Sequence, residues 1–307
     1  MSAIGFDTSN YTTSIAWFDG SEGVNCSRLL PVKQGELGLR QSDAVFSQTK
    51  SLPELSGRLF SHAQISEVDV IGVSTRPRAV EGSYMPCFMV GYSHAKLLSD
   101  ALGKPLVEVS HLQGHVAAAL WSAGRLDLMD QPHLAWHLSG GTTELLLVEP
   151  DGRNVRCTKI GGTTDISAGQ LIDRTGQLLD LPFPAGRHLD ALSADAQDRE
   201  VFRVKCPGLE FSLSGVQNKV QQYHQQHQNA AETAGYALRC VSQAVLKASQ
   251  NAMRAYPGLE IVFSGGVASN AMLRQVLAPL KPVFAQPQFS TDNAMGVAIL
   301  AHRILEG

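Results

Sequence analysis

At 307 residues the chain is too long for one ordinary core and suits one large domain or two modest ones. Its composition, 44% hydrophobic and 17% charged with 28 Gly and 14 Pro, points away from a disordered or fibrous protein. A net charge of −3 excludes a global attraction to nucleic acid, so an RNA substrate must meet a local basic patch or a partner subunit.

In chain order, a predicted strand at Ala3–Phe6 leads through Asp7-Thr8-Ser9-Asn10 into a second at Thr13–Phe18, which reads as a hairpin. Residues 41–63 have helical spacing, with Pro53 as an interruption. Val68–Ser74 is a short buried strand. Met89–Leu102 is a helix with Gly103 as its C-cap, and Leu106–Val109 another strand. His111–Ala123 reads as a helix ending at Gly124. Strands at Leu134–Leu138 and Glu144–Val148 flank Ser139-Gly140-Gly141-Thr142-Thr143. Residues 165–180 are helical. The Gln- and His-rich stretch QNKVQQYHQQHQN is a solvated helix or loop rather than a metal site. Glu232–Arg254 is a long amphipathic helix. A strand at Ile261–Phe263 runs into Ser264-Gly265-Gly266, and helices follow at Ala271–Leu277 and Thr291–Leu305. The five cysteines are scattered without a CxxC pair, as in a reduced, cytoplasmic protein. The opening residues do not read as a signal peptide, and no run reaches the roughly 18 apolar residues of a membrane span.

Three features carry chemistry. His111 and His115 are four residues apart on one helix face, so both imidazoles can reach one ion. Two histidines are a weak signal, and the absence of Glu at 112 argues against a metalloprotease helix. Asp292 is a candidate third ligand, although by local pattern it reads as a helix N-cap. Carboxylate plus imidazole suits Fe or Zn with open positions. The turns at 139–141 and 264–266 are the second feature, because glycines after a strand let backbone N–H groups approach phosphate. With Asp7-Thr8-Ser9 they suggest an ATPase arrangement lacking a Walker lysine. Third, Asn270 could bond a nucleotide or cap the helix that follows. Asp165, Asp173 and Asp190 lie around Phe183-Pro184-Ala185-Gly186, and surface aspartate is the bland reading of each.

Taken in order, these segments resemble the tRNA threonylcarbamoyladenosine transferase (TsaD-type) family, once called O-sialoglycoprotein endopeptidase. Gly5-Phe6-Asp7-Thr8-Ser9 is similar to the family's GIETS opening, and Val109 to His115 to its HHxEGH motif. His137 to Thr143 resembles LVSGGHT. Asp165 to Asp173, then Pro184-Ala185-Gly186, resembles DDAxGEAFDK followed by PGG. Phe211-Ser212-Leu213-Ser214-Gly215 resembles FSFSG. Ser264 to Asn270 resembles AGGVSAN, and Phe289 to Asn293 resembles CTDN. The resemblance implies an α/β, actin-like ATPase (ribonuclease-H-like) two-lobed fold. Residues 1–110 would form the first lobe, completed by 292–307, and 111–291 the second.

It further implies one divalent metal, Fe or Zn, on His111, His115 and Asp292, with His137 as a fourth-ligand hypothesis. The adenylate, an ATP/AMP-type ligand, would contact His137, Leu138, Ser139, Gly140, Gly141, Asp173, Gly186, Asp190 and Asn270, with the Gly265-Gly266 turn at its phosphate. The implied reaction moves threonylcarbamoyl from its adenylate to a tRNA adenosine beside the anticodon, with tRNA and the proteins of a transfer complex as partners and no membrane. Several positions depart from the family pattern. Tyr11 and Thr12 replace an acidic pair, and Arg76-Pro77-Arg78 replaces a GPG loop. Gln113 and Gln170 replace glutamates, and Thr142 replaces a histidine. The chain therefore reads as a divergent member. A nucleotide- and metal-binding paralogue without this turnover is the alternative. An ATPase or sugar kinase of the same fold is disfavoured by the histidines, and an endopeptidase by the lack of a nucleophile or HExxH.

Overall fold

The computed structural model describes residues 1–9, 11–31, 39–62 and 68–307. Asn10 of the first turn and residue 63 of the first helix lie outside the described residues. The chain forms two compact units: residues 1–131, 149–157 and 292–307, and residues 132–148 and 158–291. The segment 111–131 thus groups with the first unit, beyond the boundary at 110 expected from sequence.

In the first unit, β1 (Ala3–Thr8) and β2 (Thr12–Phe18) form the antiparallel hairpin, pairing Ala3 with Phe18 and Thr8 with Thr13. β3 (Gly23–Leu29) extends it antiparallel to β2. β4 (Val70–Arg76) runs parallel to β1, and β5 (Leu106–Ser110) parallel to β4, giving the order β3-β2-β1-β4-β5. Alternate residues of these strands, Ile4, Phe6, Ile71 and Val73, bury their side chains with Leu52, Leu55 and Leu59 of α1 (Gln41–His62). α1 is continuous through Pro53 despite the hydrogen bond that a proline removes. Burial of those three leucines, each 0–1% exposed, offsets the loss. α2 (Phe88–Leu102) ends at Gly103 in the left-handed conformation, as expected.

The unit is completed by α3 (His111–Ser122) and α9 (Met295–Glu306), which cross at two glycines. A β-carbon on Gly296 would stand 1.8 Å from the Gly114 carbonyl oxygen, so only glycine permits this approach. The last helix starts at Met295, not Thr291. The Asp292 carboxylate is engaged elsewhere, and the Asn293 side chain accepts the Met295 N–H at 3.1 Å instead.

The second sheet, which belongs to the second unit except for residues 149–157, repeats the same strand pattern. β6 (His133–Leu138) and β7 (Thr143–Asp151) form an antiparallel hairpin, with β8 (Asn154–Thr163) beyond β7. β10 (Ile261–Ser264) runs parallel to β6, and β11 (Val283–Phe284) parallel to β10. A two-residue strand, β9 (Glu210–Phe211), adds to β8. Omitting β9, the order β8-β7-β6-β10-β11 is that of the first sheet, element for element. Helices α4 (Ala168–Leu178), α5 (Gly186–Ser193), α6 (Ser214–His227), α7 (Ala230–Ala255) and α8 (Ala271–Leu277) belong to this unit. Leu134, Trp136 and Leu138 project from β6 into a core with Tyr236, Cys240 and Val241 of α7. The Gln-rich stretch lies in α6, which buries only Val216, Val220 and Tyr223, a stripe at helical spacing.

Candidate functional site

The first unit brings His111, His115 and Asp292 together, with one donor atom of each within 4.8 Å of the others. The two Nε2 atoms are 3.0 Å apart, and Asp292 Oδ1 is 3.5 Å from His111 Nε2 and 3.2 Å from His115 Nε2. Neighbouring donors on one ion at about 2.1 Å stand roughly 3.0–3.4 Å apart, from right-angle to tetrahedral geometry. The trio therefore fits a single ion, and two imidazoles with one carboxylate is a donor set for Zn or Fe(II).

Local sequence explains this convergence. Ser110 and Gln113 form a capping box: the Ser110 hydroxyl accepts the Gln113 N–H, and Gln113 Oε1 accepts the Ser110 N–H at 2.8 Å. α3 therefore begins at His111. The Gly114–Gly296 crossing then brings the start of α9, and with it Asp292, beside the two histidines. Asp7 at the end of β1 completes the arrangement. Its carboxylate lies 2.8 Å from His111 Nδ1 and also accepts the Ser74 hydroxyl, leaving His111 Nε2 toward the trio. Ser9 donates to Asp292 Oδ2 at 2.7 Å, and Gln48 donates to the Ser9 carbonyl at 2.6 Å. In the sequence Asp7 and Ser9 stand in a motif that gives them no role at the metal. The signal was a buried carboxylate at a strand end, which requires a partner. Burial works against charge on His111, but the Asp7 and Asp292 carboxylates outweigh it and push its pKa up to about 10. Burial likewise works against charge on Asp292, yet hydrogen bonds from both histidines hold it well below the usual carboxylate range.

The other expected site residues belong to the second unit. His137, 7% exposed, pairs across the sheet with Ser264, whose hydroxyl lies 3.5 Å from its Nδ1. Ser139 closes its turn by donating its N–H to Thr142 at 2.8 Å and accepting the Thr142 N–H at 3.0 Å. A β-carbon at Gly140, Gly141 or Gly186 would meet open space, so neither packing nor backbone conformation requires glycine there. Gly265 differs: its φ is +92°, and a β-carbon would stand 2.1 Å from the Leu138 carbonyl oxygen. Asn270 caps α8, its Oδ1 accepting the Leu273 N–H at 2.9 Å, and it donates to Asp190 Oδ1 at 2.7 Å. Asp173 accepts the Ala185 N–H at 2.9 Å, and burial raises its pKa. Asp165 ties the segment 212–214 down, accepting the Ser212 and Ser214 hydroxyls and the Leu213 and Ser214 N–H groups.

The sequence matches the family model of tRNA N6-adenosine threonylcarbamoyltransferase over residues 44–299. The chain belongs to this family. A tRNA N6-adenosine threonylcarbamoyltransferase of Streptococcus suis is 32% identical over 240 residues, covering 73% of this chain and 69% of that protein. One from Thermosipho africanus is 29% identical and covers 99% of this chain and 94% of its own length. Among solved structures, full-length HypF in a phosphate- and nucleotide-bound form superimposes with a TM-score of 0.63 at 14% identity. It covers all of this chain, which spans 47% of HypF. The ROK hexokinase of Thermus thermophilus gives 0.57 at 15% identity, with complete coverage of both chains. These likenesses establish the α/β, actin-like ATPase fold.

Against the tRNA N6-adenosine threonylcarbamoyltransferase pattern, two of the lost glutamates acquire a structural reading. Gln113 and Gln170 are both the third helical residue of a capping box, a position where Glu and Gln serve equally. Gln113 also donates Nε2–H to the Val155 carbonyl at 2.7 Å, which a carboxylate cannot do. The replaced acidic pair is absorbed by the sheet: Thr12 is buried in β2 opposite Leu29, and the Tyr11 carbonyl accepts the Leu30 N–H at 2.7 Å. Among the described residues, no helix is long and apolar enough to cross a membrane.

Proposed function

We propose that this chain transfers a threonylcarbamoyl group from its adenylate to N6 of the tRNA adenosine beside the anticodon. The adenosine amine attacks the carbamoyl carbon, the bond from that carbon to the phosphate oxygen breaks, AMP leaves, and the amine loses a proton. The convergence of His111, His115 and Asp292, backed by Asp7, supports this reading most strongly. These three would hold one divalent ion, Fe or Zn, which when bound supplies Lewis-acid polarisation of a substrate oxygen. Asp7 would fix the His111 ring by accepting its Nδ1–H.

In the same reading, the 139–141 and 265–266 turns offer backbone N–H groups to the adenylate phosphate, and the open space at Gly140 and Gly141 supports close approach. His137, Leu138, Asp173, Gly186, Asp190 and Asn270 would complete the nucleotide contacts. The Asp190–Asn270 hydrogen bond pre-positions two of them. His137 remains the hypothesis for a fourth ligand, set against its contact with Ser264. Metal content of His137→Ala beside His111→Ala separates these roles: loss only in His111→Ala leaves His137 structural.

The second reading, a partner that binds nucleotide and metal without turnover, is favoured by Tyr11 and Thr12, which hold no carboxylate where the family has two. Purified protein, threonylcarbamoyl-adenylate, tRNA and the partner proteins of the transfer complex decide between them. Modified adenosine in the tRNA establishes the transferase. Its absence while metal remains bound establishes the second reading.

A further inference from the structure

The loop between β4 and α2 takes no part in the metal cluster, yet both of its ends are fastened to that cluster's elements. A register shift between Ser74 and Arg76 sets Arg76 opposite Ser110, the residue that caps α3. Such bulges re-aim side chains next to active sites. The Pro77 carbonyl then accepts the N–H of Leu112, the neighbour of His111, at 3.1 Å. At the far end, the Cys87 carbonyl accepts the Thr8 hydroxyl at 3.0 Å. The ring of Phe88 lies 5.9 Å from that of His111. Between these anchors the loop is braced internally: Ser83 Oγ accepts the Arg78 N–H at 3.0 Å, and the Ser83 N–H donates to the Val80 carbonyl at 3.3 Å.

The braced loop presents basic side chains and an exposed aromatic ring. Arg76 is exposed, Arg78 is half-buried, and Tyr84 leaves 63% of its surface in solvent. Glu81 is the one acidic residue between positions 76 and 87, in a chain of net charge −3 whose nearby cluster contains Asp7 and Asp292. The two arginines stand where the family pattern has glycines. Guanidinium groups and an exposed aromatic ring on one loop are a donor set for single-stranded RNA: cations meet phosphates, and the ring stacks on an unpaired base.

We propose that this loop is the local basic patch through which the protein takes tRNA, with Arg76 and Arg78 on backbone phosphates and Tyr84 stacked on an unpaired base. The proposal rests on tRNA being the substrate. Its test is tRNA binding by the full chain, followed by fluorescence anisotropy across a series of salt concentrations. Arg76→Ala and Arg78→Ala should each weaken binding and lower the slope of log K against log salt by roughly 0.7. Tyr84→Ala should weaken binding roughly 5- to 150-fold with little change in that slope, and Tyr84→Phe should restore it. Unchanged melting temperatures in all four variants would show that the fold is intact. Binding and salt slope unaltered in the Arg76→Ala, Arg78→Ala, Tyr84→Ala triple variant would overturn the proposal, even if the wild type modifies tRNA. Absence of tRNA binding by the wild type would overturn it too. Loop-dependent tRNA binding without modification would uphold the loop and sink the transferase reading.

Discussion

Gly296→Ala is the sharpest perturbation of the site, because it inserts one methyl group where α9 crosses α3. The new carbon would lie 1.8 Å from the Gly114 carbonyl oxygen and 2.9 Å from the Ala118 nitrogen, whereas ordinary contact begins near 3.4 Å. Both obstacles are backbone, so the helices must part by more than an ångström. Overpacking of this kind costs about 1–3 kcal/mol. The upper end is expected here, since every residue of α9 from Met295 to His302 is buried. The displacement also reaches the metal trio: His111 and His115 ride on α3, and Asp292 lies just before α9. Ligand distances tolerate only about 0.2 Å. Urea unfolding should show a lower midpoint, and zinc affinity measured by chelator competition should fall by roughly tenfold or more, the scale at which a lost supporting contact is felt. Gly57→Ala is the control. A β-carbon there meets nothing within 4 Å, and the substitution should stabilise α1 by about 0.5–1 kcal/mol. If Gly296→Ala matched the wild type in stability and zinc affinity, the crossing would not hold the trio in place.

Asp7→Asn should lower zinc affinity by about 10- to 100-fold with the circular dichroism spectrum unchanged, because the amide orients His111 less firmly than a carboxylate. An unaltered dissociation constant would remove Asp7 from the site. Gln113→Glu should destabilise the chain by about 1–3 kcal/mol in urea, since it turns a buried donor toward the Val155 carbonyl into an acceptor. Neutrality would mean that the capping interaction alone matters at this position. Asp165 is opposed by burial, but its hydroxyl and amide donors win and hold its pKa well below the model-compound value of 3.8. A depressed carboxylate contributes stability above its unfolded pKa and loses it as pH falls further. The wild type should therefore lose stability below about pH 4, and Asp165→Asn should flatten that acid limb in thermal unfolding. An unchanged limb would place the acid sensitivity elsewhere.

The elements most legible in the sequence are those whose apolar spacing is strong. The hairpin of β1 and β2, the strand β4, and helices α2, α3, α7 and α8 fall within about two residues of expectation. β3 and β8 were missed because they carry polar residues at most positions, GVNCSRL and NVRCTKIGGT, and borrow their order from the hairpins they extend. α5 was missed because it is eight residues long and starts at a glycine. The two histidines were legible from their spacing and Asp292 as a candidate third ligand, but the resemblance was needed to choose that role over a helix cap. Asp292 is 177 residues beyond His115, and nothing local distinguishes it from a cap. The glycines that bring it there, Gly114 and Gly296, have no signature until the helices are seen to cross.

The departures from the family pattern divide once their contacts are known. Gln113 and Gln170 keep the capping function a glutamate would have, so their exchange removes charge without removing the helix starts that set His111 and the 168–178 helix in place. Tyr11 and Thr12 are different, because they carry no carboxylate and serve the sheet instead: Thr12 pairs with Leu29, and the Tyr11 carbonyl accepts the Leu30 N–H. The arginines at 76 and 78 add positive charge next to the same helix start. At the start of α3 the exchange of Gln113 and the arginines at 76 and 78 changes the charge from acidic toward basic, whereas Thr142 in the second unit replaces a histidine, and the trio and its support from Asp7 persist. A protein that had lost its ligands would have no reason to keep Asp7 buried at 2% exposure against His111, since burying a carboxylate costs free energy unless it holds something. The positive charge gained beside the start of α3 is what the proposed tRNA-binding loop requires of a surface that meets a polyanion.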